Sequence, residues 1–253
     1  MRPTACHTSP PALLVTCEHG GNSVPRAYHG LFARKERLLQ SHRGYDPGAL
    51  ELARTMSVRL DAELVTATTT RLLVDLNRHD SNPTVFSAIT SRLPDDERAH
   101  LLRRYHAPYR ERSQRWVGAQ TLAGRPVVHV SCHSFTPRLH GETRTADIGL
   151  LYDPRQDVEV ALATAWRAAI LRRADLRVRR NYPYLGTADA LTTHLRKRFR
   201  TQGYAGIEVE VNQRFPLYQP DRWRVLRGLL CEALVEALHA AIRSACPNAG
   251  IRG

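Results

Sequence analysis

Five apolar runs of strand length punctuate the chain: "ALLVTC" at 12–17, "LLVDL" at 72–76, "VVHVSC" at 127–132, "IGLLY" at 148–152 and "IEVEV" at 207–211. Their short length and their Val, Ile and Leu content predict β-strands. Other stretches repeat apolar residues at helical spacing. In "GALELARTMSVRL" the stripe is Ala49, Leu52, Ala53, Met56 and Leu60, and "VEVALATAWRAAILRRA" is a second such segment. The longest, "DRWRVLRGLLCEALVEALHAAIRSA", aligns Trp223, Leu226, Leu230, Leu234, Ala237 and Ile242. Pro220 and Asp221 open that helix and it stops before Pro247.

Strands that alternate with helices predict an α/β fold, a three-layer α/β/α arrangement with a sheet covered on both faces. There is no internal repeat, no low-complexity tract and no Pro/Gly/Ser-rich linker. A single domain over residues 1–253, with its core at about 12–245, is the expected organisation. Ligands of such sheets bind beyond the carboxyl ends of strands, so the polar residues that follow each apolar run are the ones to inspect.

Composition narrows the class. A hydrophobic fraction of 42% and a charged fraction of 24% are those of a soluble globular protein. No apolar run is long enough to cross a bilayer, and the first residues lack a signal-peptide core and cleavage site, so a cytoplasmic location is expected. The five cysteines (Cys6, Cys17, Cys132, Cys231, Cys246) are odd in number, widely spaced and without a C-x-x-C pair. That pattern argues against a disulfide framework and a cysteine zinc site. Cys17 and Cys132 read as buried thiols, and the opposite facing of neighbours on a strand argues against a Cys132–His133 nucleophilic pair.

The net charge of +13 raises the question of nucleic acid. Arginine supplies nearly all of it, Lys35 and Lys197 being the only lysines, with denser clusters in "LRRADLRVRR" and "HLRKRFR". No basic helix with interleaved aromatics and no zinc-finger or RNA-binding signature accompanies them. A solvated arginine-rich surface is the expectation, with an arginine-rich nucleic-acid-binding protein as a remote alternative; neither a membrane nor a specific nucleic acid is an expected partner.

Four strand exits carry chemistry. "LLVTC" ends in Glu18 and His19, "LLVDL" in Asn77 and Arg78, and "VVHVSC" in His133 and Ser134, while "IEVEV" contains Glu208 and Glu210 and runs into Asn212. Asp46 directly precedes a predicted helix, where a carboxylate that stabilises the first turn is the ordinary explanation. A carboxylate within a central strand is harder to dismiss, since burying one unpaired is costly. Two histidines and a carboxylate at strand exits make a set of the kind that holds catalytic zinc and leaves a fourth position for water. A separate carboxylate would serve as general base. Asn77 and Arg78, with Arg71 earlier, suit a clamp for a substrate carboxylate.

The ordered segments "CEHGGNSVP", "HRGYDPGALELA", "TRLLVDLNR", "YHAPYR", "VSCHSFTP", "RTADIGLLYDP", "NYPYLG" and "IEVEVNQ" resemble the N-formylglutamate amidohydrolase family over roughly residues 12 to 240. That family is similar to zinc carboxypeptidases and aspartoacylase-like deacylases, which implies a mixed central sheet of the phosphorylase/hydrolase type. The resemblance implies one zinc ion (or another divalent metal) on His19, His133 and Asp46, and Glu210 as general base, with Glu208 the alternative on the same strand face. It implies a small anionic N-acyl amino acid as substrate, N-formyl-L-glutamate first and another N-blocked amino acid or peptide second. Asn77, Arg78 and Arg71 would hold its carboxylate. Glu18 stands as a partner orienting a ligand or as a solvated turn acid. Arg144 faces the pocket or pairs with Asp147. His106 and Tyr109, together with Asn181, Tyr184 and His194, are weaker candidates. The chain departs from the deformylase branch, which resembles "PHSG" where this one has "EHGG". Ser131 replaces an acidic residue found in many relatives, and Arg110 stands where some have histidine.

Overall fold

A computed structural model describes the backbone of residues 10–245 and side chains as far as residue 240; Cys6, Cys246, Pro247 and the side chain of Ile242 lie outside the described residues. The strands are β1 (Ala12–Cys17), β2 (Glu63–Thr66), β3 (Val127–Phe135), β4 (Arg138–Leu139), β5 (Glu142–Thr143), β6 (Ile148–Leu151), β7 (Val178–Arg180) and β8 (Tyr204–Asn212). The helices are α1 (Glu36–Leu39), α2 (Ala49–Leu60), α3 (Asp95–Leu101), α4 (Ala107–Leu122), α5 (Asp157–Arg173), α6 (Leu191–Phe199), α7 (Arg214–Tyr218) and α8 (Pro220–Ala245).

Six strands build one sheet in the order β2-β1-β3-β8-β6-β7. Its first four strands are mutually parallel, while β6 meets β8 antiparallel and pairs with β7 in parallel. The sheet is therefore mixed, and helices cover both faces. Side-chain alternation sorts those faces. Val15 and Cys17, Val130 and Cys132, and Ile207, Val209 and Val211 point into a core with α2, α5 and α8. The predicted stripes of these helices are what they bury: Leu52, Ala53 and Met56 of α2, Trp166 of α5, and Trp223, Leu226, Leu230, Leu234 and Ala237 of α8. Trp166 Nε1–H donates to the Leu230 carbonyl at 3.1 Å and ties two of those helices together. The opposite face begins apolar, with Ala12, Leu14, Val127 and Tyr204 packed against Val117 of α4 and Leu191, Leu195 and Phe199 of α6.

One predicted strand is not a strand. The run "LLVDL" forms an irregular turn in which Leu73 N–H bonds to the Thr70 carbonyl and Asp75 N–H to that of Val85. Leu72, Leu73, Val74 and Leu76 are nonetheless all buried. Burial from a segment draped over the sheet produces the same apolar run as a strand. The place beside β1 belongs instead to the short β2. Farther on, α3 passes into α4 through a π-helical turn at Leu102–His106. Pro108 lies in the first turn of α4. Its ring crowds the carbonyl four residues earlier, a conflict that a wider turn relieves.

β6 is shorter than β8, and its last register pair is Leu151 with Glu208. Beyond it the Gly206 N–H lacks a strand partner on that side, and buried Glu159 of α5 accepts it at 2.8 Å. Arg196 of α6 donates through Nε to the same carboxylate oxygen at 2.8 Å, and through its terminal nitrogens to the Gly186 and Gly206 carbonyls. Removing one partner of a buried pair leaves an uncompensated charge. Arg196→Leu is expected to cost about 3–5 kcal/mol of stability in urea unfolding; a loss within ~0.5 kcal/mol, typical of a surface change, would show that the pair has no structural weight.

Candidate metal centre and active site

Toward the carboxyl ends of the central strands the face beneath α4 and α6 turns polar. Ala12 and Leu14 give way to Thr16 and Glu18, Val127 to His129, Ser131 and His133, and Tyr204 to Glu208 and Glu210, all buried. In the β3–β8 register His133 stands directly opposite Glu210, and Ser131 opposite Glu208. The two glycines after His19 let the chain leaving β1 lie against the chain leaving β2. An added Cβ would come 2.8 Å from the Ala67 oxygen at Gly20 and 2.7 Å from the Thr68 oxygen at Gly21. In its place, Gly20 N–H bonds to Ala67 O at 3.0 Å and Ser23 N–H to Thr68 O at 2.9 Å. Asp46 N–H then bonds to the His19 carbonyl at 2.9 Å, which brings the loop before α2 to the same rim.

His19, Asp46 and His133 converge there. One ligand atom from each lies within 4.8 Å of the others, and all three residues are buried. Asp46 Oδ2 is 2.9 Å from His133 Nδ1 and 3.4 Å from His19 Nδ1. α2 has no side-chain cap, its N-cap being Gly48 at φ 82°, so the Asp46 carboxylate serves the histidines rather than the helix. The far nitrogen of each ring meets its own buried carboxylate. His19 Nε2 lies 2.7 Å from Asp75 Oδ1, and His133 Nε2 lies 3.1 Å from Glu18 Oε2. Carboxylates behind metal-ligating histidines orient the rings and raise their basicity. This donor set fits a divalent cation: two imidazoles present the same nitrogen to one carboxylate oxygen, and the opposite nitrogens are already occupied.

Charges balance around that point. Burial disfavours ionised Glu18, but His133 together with the Ser131 and Thr16 hydroxyls holds its carboxyl well below the usual range. Burial opposes Asp75 too, and Arg71 and His19 outweigh it. Arg71 donates to Asp75 Oδ2 at 2.7 Å and lies 3.6 Å from Asp46 Oδ1. Burial likewise works against a charge on His133, but its hydrogen bonds to Asp46 and Glu18 raise its pKa well above that of free imidazole. Glu210 is different. Its Oε2 is buried with no hydrogen-bond partner. Burial pushes this carboxyl up to about 8, His133 opposing the shift while Asp46 and Glu208 add to it. Glu208 instead accepts the Thr192 hydroxyl at 2.6 Å.

A cleft of about 400 Å³ opens over these groups, lined by the three converging residues with Arg71, Asn77, Arg78, Glu208 and Glu210. Asn77 Oδ1 accepts from Leu191 N–H at 2.8 Å, and Arg78 Nη1 donates to the Asp189 carbonyl at 2.9 Å. Phe135, Leu139, Tyr184 and Leu185 give the cleft an apolar side. Arg144 is not in its lining; it stacks over Tyr184 and Phe135, while Asp147 pairs with Arg214 instead. His106, Asn181 and His194 also lie outside the lining. His106 Nε2 meets the Arg78 carbonyl at 2.8 Å, Asn181 Oδ1 accepts the Tyr152 and Gly186 N–H groups, and His194 Nε2 faces Gln114. Glu18 is fully buried, which removes the solvated-turn explanation. Sequence reasoning gave Asp75 no role and passed over His42, Arg43 and Gln213, which line the cleft.

The family described as N-formylglutamate amidohydrolase matches residues 11–217. No curated protein matches the sequence. Among solved structures, a gene product of Agrobacterium tumefaciens is 30% identical, with 91% of each chain covered and a TM-score of 0.80. An N-formylglutamate amidohydrolase from Ralstonia eutropha JMP134 is 18% identical, covers 92% of this chain and 96% of its own, and has a TM-score of 0.65, a likeness of fold. Among the described residues no helix is long and apolar enough to cross a membrane.

A cation at His133 Nδ1 must displace the proton that Asp46 holds there, on a ring whose charge Glu18 favours from its far side. The loaded protein therefore carries fewer protons, and apparent affinity for a divalent cation is expected to rise with pH until that proton is lost. Titration calorimetry at pH 7 in two buffers of different ionisation enthalpy should show at least about one proton released per cation; observed heats that do not differ between the two buffers would exclude His133 as a displaced acid.

Proposed function

The chain belongs to the N-formylglutamate amidohydrolase family, and we propose that it is a zinc-dependent enzyme converting N-formyl-L-glutamate and water to L-glutamate and formate. The observation that carries this reading is the buried His19–Asp46–His133 triad facing a cleft it shares with Glu210, whose Oε2 has no partner. Zinc, when bound to the triad, supplies Lewis acidity toward water and toward the scissile carbonyl.

The chain's own groups do the rest. Arg71, braced by Asp75 and Asp46, and Arg78, braced by the Asp189 carbonyl, hold the substrate's carboxylate in the cleft. Asn77 lines the same wall, its Oδ1 fixed by the Leu191 N–H. Glu210 takes a proton from the attacking water as its oxygen bonds to the formyl carbon. The same carboxyl then delivers that proton to the amide nitrogen as the C–N bond breaks. A pKa raised to about 8 by burial suits both roles; added positive charge on the triad shifts the group back toward its base form before attack. Glu208, bound to Thr192, is already committed to a neighbour.

A second substrate has support in the cleft itself. Leu139, Tyr184 and Leu185 offer apolar surface that a formyl group does not need. An amide carrying a larger acyl group, or a blocked peptide, would use it.

Formate release from N-formyl-L-glutamate, measured beside N-acetyl and N-succinyl amino acids with metal analysis of the purified protein, separates the two. Turnover of the formyl compound with about one zinc per chain is expected; activity confined to the larger acyl groups would reject the first substrate. Glu210→Gln should keep the metal and lose roughly 10²–10⁴-fold in kcat, whereas a near-normal rate in that variant and a collapse in Glu208→Gln would move the base two residues along β8.

A further inference from the structure

Below the metal ligands, buried polar groups continue across the sheet in places where core packing would have taken valine. His129 is fully buried between two hydroxyls, its Nε2 at 2.8 Å from Thr16 Oγ1 and its Nδ1 at 2.7 Å from the Tyr204 phenol oxygen. Thr16 belongs to β1 two residues before Glu18, and its hydroxyl helps hold the Glu18 charge. Glu18 collects further donors: Tyr109 OH reaches Oε1 at 3.0 Å and Ser131 Oγ–H reaches Oε2 at 2.7 Å. Ser131 Oγ is also 2.9 Å from His133 Nε2.

We infer that Tyr204, His129 and Thr16 form a one-way hydrogen-bond relay that ends on Glu18 and fixes His133 with its proton on Nε2. The direction follows from counting protons. A neutral imidazole has one N–H and one lone pair, so its two neighbours must play opposite parts. If Tyr204 donates to Nδ1, then Nε2–H donates to Thr16, whose own proton is free for the Glu18 carboxylate. Every buried hydrogen is then used. In the reverse sense Thr16 donates to Nε2 and Nδ1–H to Tyr204, and the phenol proton has no acceptor among the described residues. The first arrangement wins because a buried hydroxyl proton left unpaired is costly. Burial draws the pKa of His129 down to about 4, which keeps the ring neutral as the count requires.

The consequence reaches the site. With the Thr16 and Ser131 protons directed at Glu18, the two nearest groups at His133 Nε2 are both acceptors, the Glu18 carboxylate at 3.1 Å and the Ser131 oxygen at 2.9 Å, while the Asn77 amide nitrogen stands farther off at 3.5 Å. The proton of a neutral His133 therefore sits on Nε2, and the Nδ1 lone pair is presented toward Asp46. Tyr204 and His129 are positioning residues, acting on the cation site through Thr16 and Glu18.

Two measurements test this. Histidine-labelled wild-type protein at pH 7 is expected to show His129 as a neutral ring protonated on Nε2 in two-bond ¹H–¹⁵N correlation spectra; a proton on Nδ1, or a doubly protonated ring, overturns the relay. The second compares Thr16→Val, which keeps the shape and removes the hydroxyl, with Thr16→Ser, which keeps the hydroxyl and loses a methyl. Zinc affinity by chelator competition should fall roughly tenfold in Thr16→Val, as for outer partners of ligating histidines, and stay near wild type in Thr16→Ser. Equal loss in both variants, or none in Thr16→Val, would make Thr16 a packing residue only. The affinity arm rests on the proposed zinc site; wild-type protein that binds no zinc would defeat that site, while the His129 spectrum would still decide the relay.

Discussion

A carboxylate removed from water needs a counter-charge or a set of donors, and this fold removes five of them around one point: Glu18, Asp46, Asp75, Glu208 and Glu210. Arg71, His19 and His133 supply the positive or proton-bearing partners for three, and Thr192 serves a fourth. Among these five, Glu210 alone keeps a fully buried oxygen without a hydrogen-bond partner. The arrangement is stable only if strands from distant parts of the chain hold these groups in register, so the β1–β3–β8 pairing and the charge cluster depend on each other. Loss of either would leave buried charge uncompensated.

The neighbours of Glu210 show how tightly that register is enforced. Gly149 of β6 pairs with it across the antiparallel ladder. A Cβ at Gly149 would fall 1.9 Å from the Tyr182 carbonyl oxygen and 3.3 Å from the Glu210 Cβ. Only a residue without a side chain lets the segment after β7 cross so near Glu210. Reversal of β6 relative to β8 thus brings a bare backbone, not another side chain, to the floor of the cleft.

Much of this was legible in sequence because buried strands write their alternation plainly. "VVHVSCH" and "IEVEV" place polar residues on alternate positions of otherwise apolar runs, which puts His133 and Glu210 on strand faces before any coordinates exist. Helical stripes such as Leu52, Ala53 and Met56 are equally direct. The segment "LLVDL" misled for a physical reason: its apolar residues are buried by a turn that lies over the sheet, and hydropathy records burial without recording hydrogen-bond pattern. β2 was missed because "ELVT" is four residues long and only Val65 is buried. Asp75 behind His19 and Arg214 against Asp147 were illegible, since each contact joins parts of the chain that no local pattern relates.

Cys17 and Cys132 are register neighbours of this cluster, one residue away from Glu18 and His133 and turned to the opposite face, where burial raises both thiols well above their usual range. Sliding β1 and β3 by a single position would exchange oxygen and nitrogen donors for sulfur and invert the pocket's chemical softness. Strand registry in this protein consequently determines which elements of the periodic table it is suited to hold, and the apolar layer beneath α2 and α8 keeps two soft ligands permanently out of the competition.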